Sequence, residues 1–180
     1  MSGTTVWLTG LPSAGKSTIA RAVEKRLLDD GRAVEVLDGD VVRTHLTKDL
    51  GFSREDRRQN VERIGFVANL LSRNGVVVLC PVIAPYRDDR DAVRALHAEP
   101  AGSGGRRSRF VEVYVSTPVD VCAERDVKGL YAKQRAGEMT GLTGVDDPYE
   151  PPVDPEVVIA THELSLDESV ELVWQALQTS

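Results

Sequence analysis

No stretch of this chain approaches the roughly 18 consecutive apolar residues that a helix needs to cross a bilayer, so the sequence carries no membrane-span signal. A leader is missing as well. Met1-Ser2-Gly3-Thr4-Thr5 runs straight into an apolar run, without the charged and then apolar pattern of a signal peptide, and the expected location is cytoplasmic. Cysteine is scarce. Cys80 and Cys122 lack metal-ligand spacing and read as free core thiols of a reducing compartment. An excess of basic residues is also lacking: 22 Lys and Arg face 28 Asp and Glu, a net charge of −6, which argues against a nucleic-acid partner. Neither an internal repeat nor a second domain is visible, and 180 residues with 41% hydrophobic content suit one domain with a sizeable core.

What the chain does have begins at residue 10. Gly10-Leu11-Pro12-Ser13-Ala14-Gly15-Lys16-Ser17 is an uninterrupted G-x-x-x-x-G-K-S, followed by Thr18. It follows the apolar run Val6-Trp7-Leu8-Thr9 and opens a helical pattern, the strand–loop–helix context that a phosphate-binding loop requires. Small residues let backbone N–H groups curl around a polyphosphate. The next helix adds its positive end, and Lys16 adds a full charge. The Ser17 hydroxyl is placed to ligate the Mg2+ that travels with ATP. A nucleoside triphosphate is therefore one ligand.

Strands and helices alternate along the chain, which implies a parallel sheet covered on both faces. Predicted strands are Thr5–Thr9, Ala33–Leu37, Val76–Cys80, Phe110–Val115 and Val157–Ala160. Predicted helices are Ser17–Asp30, Val41–Leu46, Arg54 to about Arg73, Tyr86–His97 and Pro118–Glu124, with a last one opened by the capping box Ser165-Leu166-Asp167-Glu168. Glu99–Arg107 reads as a mobile surface connection whose Arg106 and Arg107 are solvated. Arg125–Pro152 breaks the rhythm. It is long, charged and glycine-rich, and in a phosphotransferase such a segment would close over the phosphates as a lid.

The second strand runs into Asp38-Gly39-Asp40, which points at the crevice of the phosphate loop. A carboxylate there can hold magnesium or accept the proton of an attacking hydroxyl. Asp40 is the stronger candidate. Asp38 reads equally as a cap. Phe52, beside a turn, suits either stacking on a base or a staple at the helix start. Arg57 and Asn60 share a helix face and suit an anionic oxygen and a hydroxyl. After the third strand neither the Asp-x-x-Gly of signalling GTPases nor a Walker B carboxylate appears, which favours a kinase over a hydrolytic switch.

Together these residues resemble the adenylylsulfate kinase (APS kinase) family along nearly the whole chain. The matching pieces are Gly10–Thr18, Leu37-Asp38-Gly39-Asp40-x-x-Arg43, Gly51-Phe52-Ser53-x-Glu55-Asp56-Arg57-x-x-Asn60 and Pro85-Tyr86-Arg87-x-x-Arg90-Asp91. To these are added Arg125–Tyr131 and Asp146–Pro151. The resemblance implies an α/β, three-layer nucleoside-monophosphate-kinase-like P-loop fold, with a five-stranded parallel sheet and a lid at about 125–152 in a single domain over 1–180. It implies transfer of the γ-phosphoryl of MgATP to the 3′-hydroxyl of adenosine 5′-phosphosulfate (APS). Carried over, Gly10–Thr18 cradles ATP with Lys16 on the β/γ-phosphates, and Arg125 and Leu164 border its adenine. Asp40 orients the 3′-hydroxyl near magnesium. Arg43, Arg57 and Asn60 hold phosphosulfate and ribose, Phe52 stacks on the APS adenine, and the backbone of Ile83 and Ala84 touches the substrate. Gly141 and Leu142 line the same subsite, and Lys128 reaches the phosphates. The family analogy adds a homodimer and ATP sulfurylase as candidate partners.

The chain departs from the family pattern where Ala84 stands for the usual Ser, described there as a phosphoserine intermediate. Transfer here is therefore expected to be direct. Leu142 stands for a second adenine-clamping Phe, and Pro12 removes a loop N–H. The alternatives are a same-fold kinase for another small hydroxylated substrate and a non-catalytic nucleotide-binding subunit.

Overall fold

The computed structural model describes residues 3–101 and 104–179. Its elements are β1 (Thr4–Thr9), α1 (Lys16–Asp29), β2 (Val34–Val36), α2 (Gly39–His45), α3 (Arg54–Ser72), β3 (Val77–Pro81), α4 (Arg87–Ala98), β4 (Arg109–Val115), α5 (Val119–Arg125), α6 (Leu130–Arg135), β5 (Val157–Ile159) and α7 (Leu166–Gln178). Five strands pair in the order β2-β3-β1-β4-β5, all parallel. Alternation along each strand divides the core in two. Val6, Leu8, Val77, Leu79, Val111 and Val113 meet α1 and α7 through Ile19, Val23, Leu27, Val173 and Leu177. On the other face Trp7, Val78 and Cys80 meet α3 and α4 through Val61, Ile64, Ala68 and Val93. That second layer depends on Gly65, where a Cβ would lie 2.6 Å from Val93 Cγ2.

Both cysteines are free and buried, and burial pushes the Cys80 thiol well up. Most element ends move by a residue or two from the sequence expectation, for identifiable reasons. Asp38 caps α2 by accepting from the Asp40 N–H at 3.1 Å, so the helix opens at Gly39 rather than Val41. Tyr86 is the N-cap of α4, which opens at Arg87. Ser53 and Asp56 form a reciprocal capping box that starts α3 at the expected Arg54. Ser165 and Glu168 do the same for α7. In the 99–107 connection Ala101 and Arg106 exchange backbone hydrogen bonds at 3.0 Å, and Arg106 and Arg107 are exposed. Residues 102–103 of that expectation lie outside the described residues.

The parallel arrangement brings the phosphate loop, α2, the turn after β3 and the segments after β4 and β5 to one edge of the sheet. This carboxyl edge is where α/β sheets bind ligands.

Candidate active site

The phosphate loop curls because Ser13 (φ 62°) and Gly15 (φ 109°) adopt left-handed backbone. Lys16 folds back on its own loop. Its Nζ donates to Gly10 O at 2.9 Å and Leu11 O at 2.7 Å. Burial strips water from this ammonium and lowers its pKa to about 8. Pro12 lacks an N–H, but its carbonyl accepts from the Tyr131 hydroxyl at 3.0 Å, so α6 braces the loop there.

Ser17 Oγ donates to Asp38 Oδ2 at 3.0 Å. Asp38 is therefore both the α2 cap and a carboxylate at the phosphate loop, which joins the two readings left open by the sequence. Asp40 stands in the first turn of α2 and forms an ion pair with Lys128 of the lid. Ser17, Asp38 and Asp40 offer only oxygen donors, which suits a hard cation that keeps water and phosphate ligands. Among the described residues no cluster of three or more His, Cys, Asp and Glu could hold a metal by itself.

The acceptor side follows. Phe52 is 66% exposed, which removes the staple reading. The Arg43 guanidinium lies 4.2 Å from its ring centroid, while Arg43 Nη1 donates to Gly51 O at 3.1 Å. Burial and the neighbouring Arg57 hold the Arg43 pKa below its usual value. Asn60 Oδ1 accepts from Thr47 Oγ1 at 2.8 Å. Ala84 is buried with a positive φ of 43°. Its carbonyl takes Arg90 Nη1 at 2.7 Å, and the Ile83 carbonyl takes Thr9 Oγ1 at 2.6 Å.

Arg57 has a use that its helix-face position did not reveal. It is buried and donates to Phe52 O (2.9 Å), Thr143 Oγ1 (2.7 Å), Gly141 O (2.6 Å) and Asp147 Oδ2 (2.8 Å). It thus bolts the far arm of the lid segment to α3. Within that segment α6 forms where only an irregular stretch was expected. The Asp126 carboxylate accepts from the N–H groups of Tyr131 and Ala132 at 3.0 and 2.9 Å and nucleates the turn. Leu142 is buried against the core that faces α1.

These pieces enclose one cavity of about 550 Å³. Pro12 to Thr18, Asp38, Asp40, Phe52, Asn60, Ile83, Ala84, Gly141 and Leu142 line it. So do five cations, Lys16, Arg43, Arg57, Arg125 and Lys128. Five cations face two carboxylates in a chain whose net charge is −6, so the positive field is local and aimed at an anion. Gly10, Leu11 and Leu164 stand outside the lining, and Leu164 packs partly buried against the core. Met139, Thr140 and Thr143 also line the cavity, although no local pattern marked them.

A family model for adenylylsulphate kinase matches residues 2–160. The chain belongs to the adenylylsulphate kinase family. The adenylyl-sulfate kinase of Rippkaea orientalis is 58% identical to this kinase over 176 residues, covering 98% of this chain and 92% of that one. That of Microcystis aeruginosa is 55% identical, covering 97% and 91%. The Mycobacterium tuberculosis APS kinase CysC, solved in complex with AMPPNP and APS, superposes with a TM-score of 0.91 at 44% identity and 99% coverage of both chains. The Ser17–Asp38 bond ties the phosphate loop of the kinase to α2, and the Asp40–Lys128 pair ties α2 to segment 125–152.

Proposed function

We propose that this kinase transfers the γ-phosphoryl group of MgATP directly to the 3′-hydroxyl of APS, giving 3′-phosphoadenosine 5′-phosphosulfate. The observation that carries the reading is that the phosphate loop and Asp40 face a single cation-lined cavity. ATP lies along Gly10–Thr18, with Lys16 leaving the Gly10 and Leu11 carbonyls for the β/γ-phosphates. Ser17, Asp38 and Asp40 would hold magnesium, which would offset charge on the phosphates. Asp40 orients the attacking 3′-hydroxyl and accepts its proton. The O3′–P bond forms as the bond from the β–γ bridging oxygen to the γ-phosphorus breaks, and ADP leaves. Phosphoryl transfer of this kind needs positioning and charge neutralisation more than covalent chemistry.

APS fits the acceptor side in three respects. Phe52 is 66% exposed at the cavity and can stack on a purine, with the Arg43 and Arg57 guanidinium groups 4.2 and 6.0 Å from its ring centroid. Arg43 and Arg57 supply the cations for phosphosulfate, and Asn60 a polar partner for ribose. The Ile83 and Ala84 carbonyls are engaged inside the protein, so this turn offers its amide edge to the substrate. Arg125 lies at the ATP end, where the ATP adenine is bordered by the segment running to Leu164. At the substrate turn Ala84 has a methyl group where a phosphorylated intermediate would need a hydroxyl, which supports direct transfer.

The chain works as one domain, with residues 125–152 as lid, in the cytoplasm and as a homodimer. The reaction that supplies APS is the adenylylation of sulfate by an ATP sulfurylase. Incubation of the purified protein with MgATP and APS tests the reading. ADP and 3′-phosphoadenosine 5′-phosphosulfate should appear in equal amounts and only when both substrates are present. ADP release with another hydroxylated acceptor, but not with APS, overturns it. Light scattering tests the dimer.

A further inference from the structure

We infer that the two ends of the lid are separate anchors, one for each nucleotide subsite. Thr161, gripped by Arg125, positions the donor loop; Arg90 directly, and Tyr149 through Thr9, position the acceptor turn. The assignment of the subsites rests on the function proposed above.

At the donor end two hydroxyls converge on the Ala14 carbonyl, Thr161 Oγ1 at 2.8 Å and Thr117 Oγ1 at 3.0 Å. They lie 2.6 Å from each other. That contact needs a proton between the two oxygens, so only one of the hydroxyl protons is left for Ala14. Arg125 completes the arrangement. Its Nη1 donates to Thr161 Oγ1 at 2.7 Å and its Nη2 to the Thr161 carbonyl at 3.0 Å. A trans peptide points its N–H away from its C=O. Pinning the Ala14 carbonyl toward Thr161 thus aims the Gly15 N–H the other way, toward the cavity that both residues line. The pin matters here because Gly15 has no Cβ to resist rotation of the peptide plane. Arg125 is the last residue of α5, where the lid leaves the body of the protein.

At the acceptor end Thr9 Oγ1 gives its one proton to Ile83 O at 2.6 Å. The 2.9 Å contact between Thr9 Oγ1 and the Tyr149 hydroxyl is therefore donated by Tyr149. Arg90 is 1% exposed and binds three segments at once. It donates to Ala84 O at 2.7 Å, Glu150 O at 2.6 Å and Glu112 Oε1 at 2.9 Å. Glu150 N–H closes the ring on Pro85 O at 2.8 Å. Ala84 is not glycine, yet it holds a φ of 43°, a conformation that persists only where neighbours over-determine it. Tyr149 and Glu150 are where the lid returns to the body, and they share no hydrogen bond with the donor-end set. The two anchors should therefore act additively.

Two isosteric variants of the full chain test this, Thr161→Val and Tyr149→Phe, with Thr161→Ser to restore the donor hydroxyl. Thr161→Val should raise KM for MgATP about threefold to tenfold, the worth of one buried hydrogen bond, with KM for APS within about twofold. Tyr149→Phe should do the reverse, and Thr161→Ser should recover the MgATP value. Backbone hydrogen–deuterium exchange supplies a readout independent of turnover. It should quicken in segment 10–18 for Thr161→Val and in segment 81–86 for Tyr149→Phe, each without the other. Equal movement of both KM values, or of both segments, in either variant overturns the inference. Should the wild type fail to use APS, the function above falls while the anchors stand or fall on the exchange pattern alone.

Discussion

The ammonium of Lys128 in the lid is paired with the carboxylate of Asp40 at the first turn of α2. The pair links α2 to segment 125–152, and each of these groups neutralises the other. In the reaction proposed above, Lys128 would turn to phosphate oxygens and Asp40 would be released for magnesium and the sugar hydroxyl. Both side chains are more than half exposed, so the pair itself contributes about 0–1 kcal/mol to folding.

Lys128→Met should therefore leave the melting temperature within about 2 °C, and it should lower kcat about 100-fold or more through lost charge compensation on the migrating phosphoryl group. Thermal melting and steady-state kinetics check both halves. A variant within twofold of wild type in kcat contradicts the role of Lys128.

Asp40→Asn should keep the shape of the site and remove the proton acceptor. Turnover is expected to fall by about two to four orders of magnitude. Binding of ADP without magnesium, followed by calorimetry, should remain within about threefold.

The Lys16 ammonium has its pKa lowered to about 8 by burial. A triphosphate brings negative charge to it and raises that pKa, so binding takes up a proton when the pH is near or above 8 and takes up little near pH 6. Titration calorimetry in buffers of different ionisation enthalpy should show this uptake in the wild type. Lys16→Met should abolish it and reduce turnover by orders of magnitude.

Ala84 predicts the absence of a phosphoenzyme. Wild type incubated with γ-labelled ATP should retain no acid-stable label on the protein. Label recovered on serine would show that a different residue accepts the phosphoryl group.

Arg90→Met is a stability prediction. It leaves Glu112, 5% exposed, with only Arg94 at 3.2 Å as its ionic partner, and it frees the carbonyls of Ala84 and Glu150. The cost should be about 3–5 kcal/mol, or a loss of at least 6 °C in melting temperature.

Wherever the necessary contacts are local, the sequence was readable. The phosphate loop, the capping boxes at Ser53 and Ser165, and the alternation of Val6, Trp7 and Leu8 each depend on residues a few positions apart. Asp40 and Phe52 could be picked out from their places after the second strand and beside a turn, and the family resemblance added Arg43 and Lys128; the fold collects all four around one cavity. Periodicity put Arg57 on an exposed-looking helix face. Its partners, Thr143 and Asp147, come from more than eighty residues away, so its burial could not be read from α3 alone. The helix α6 escaped notice because a single side chain, Asp126, caps it inside a stretch otherwise rich in glycine and charge.

By itself the sequence determined the parallel α/β fold, the triphosphate site and the carboxylate opposite it, because strand alternation, glycine freedom and helix capping act over short chain distances. Only the tertiary structure decided that Asp38 meets Ser17, that Lys128 meets Asp40, that Thr161 meets Ala14 and Arg125, and that Tyr149 meets Thr9. Those bonds join groups from different strand ends, and their geometry exists only once the parallel sheet has brought its carboxyl edges together.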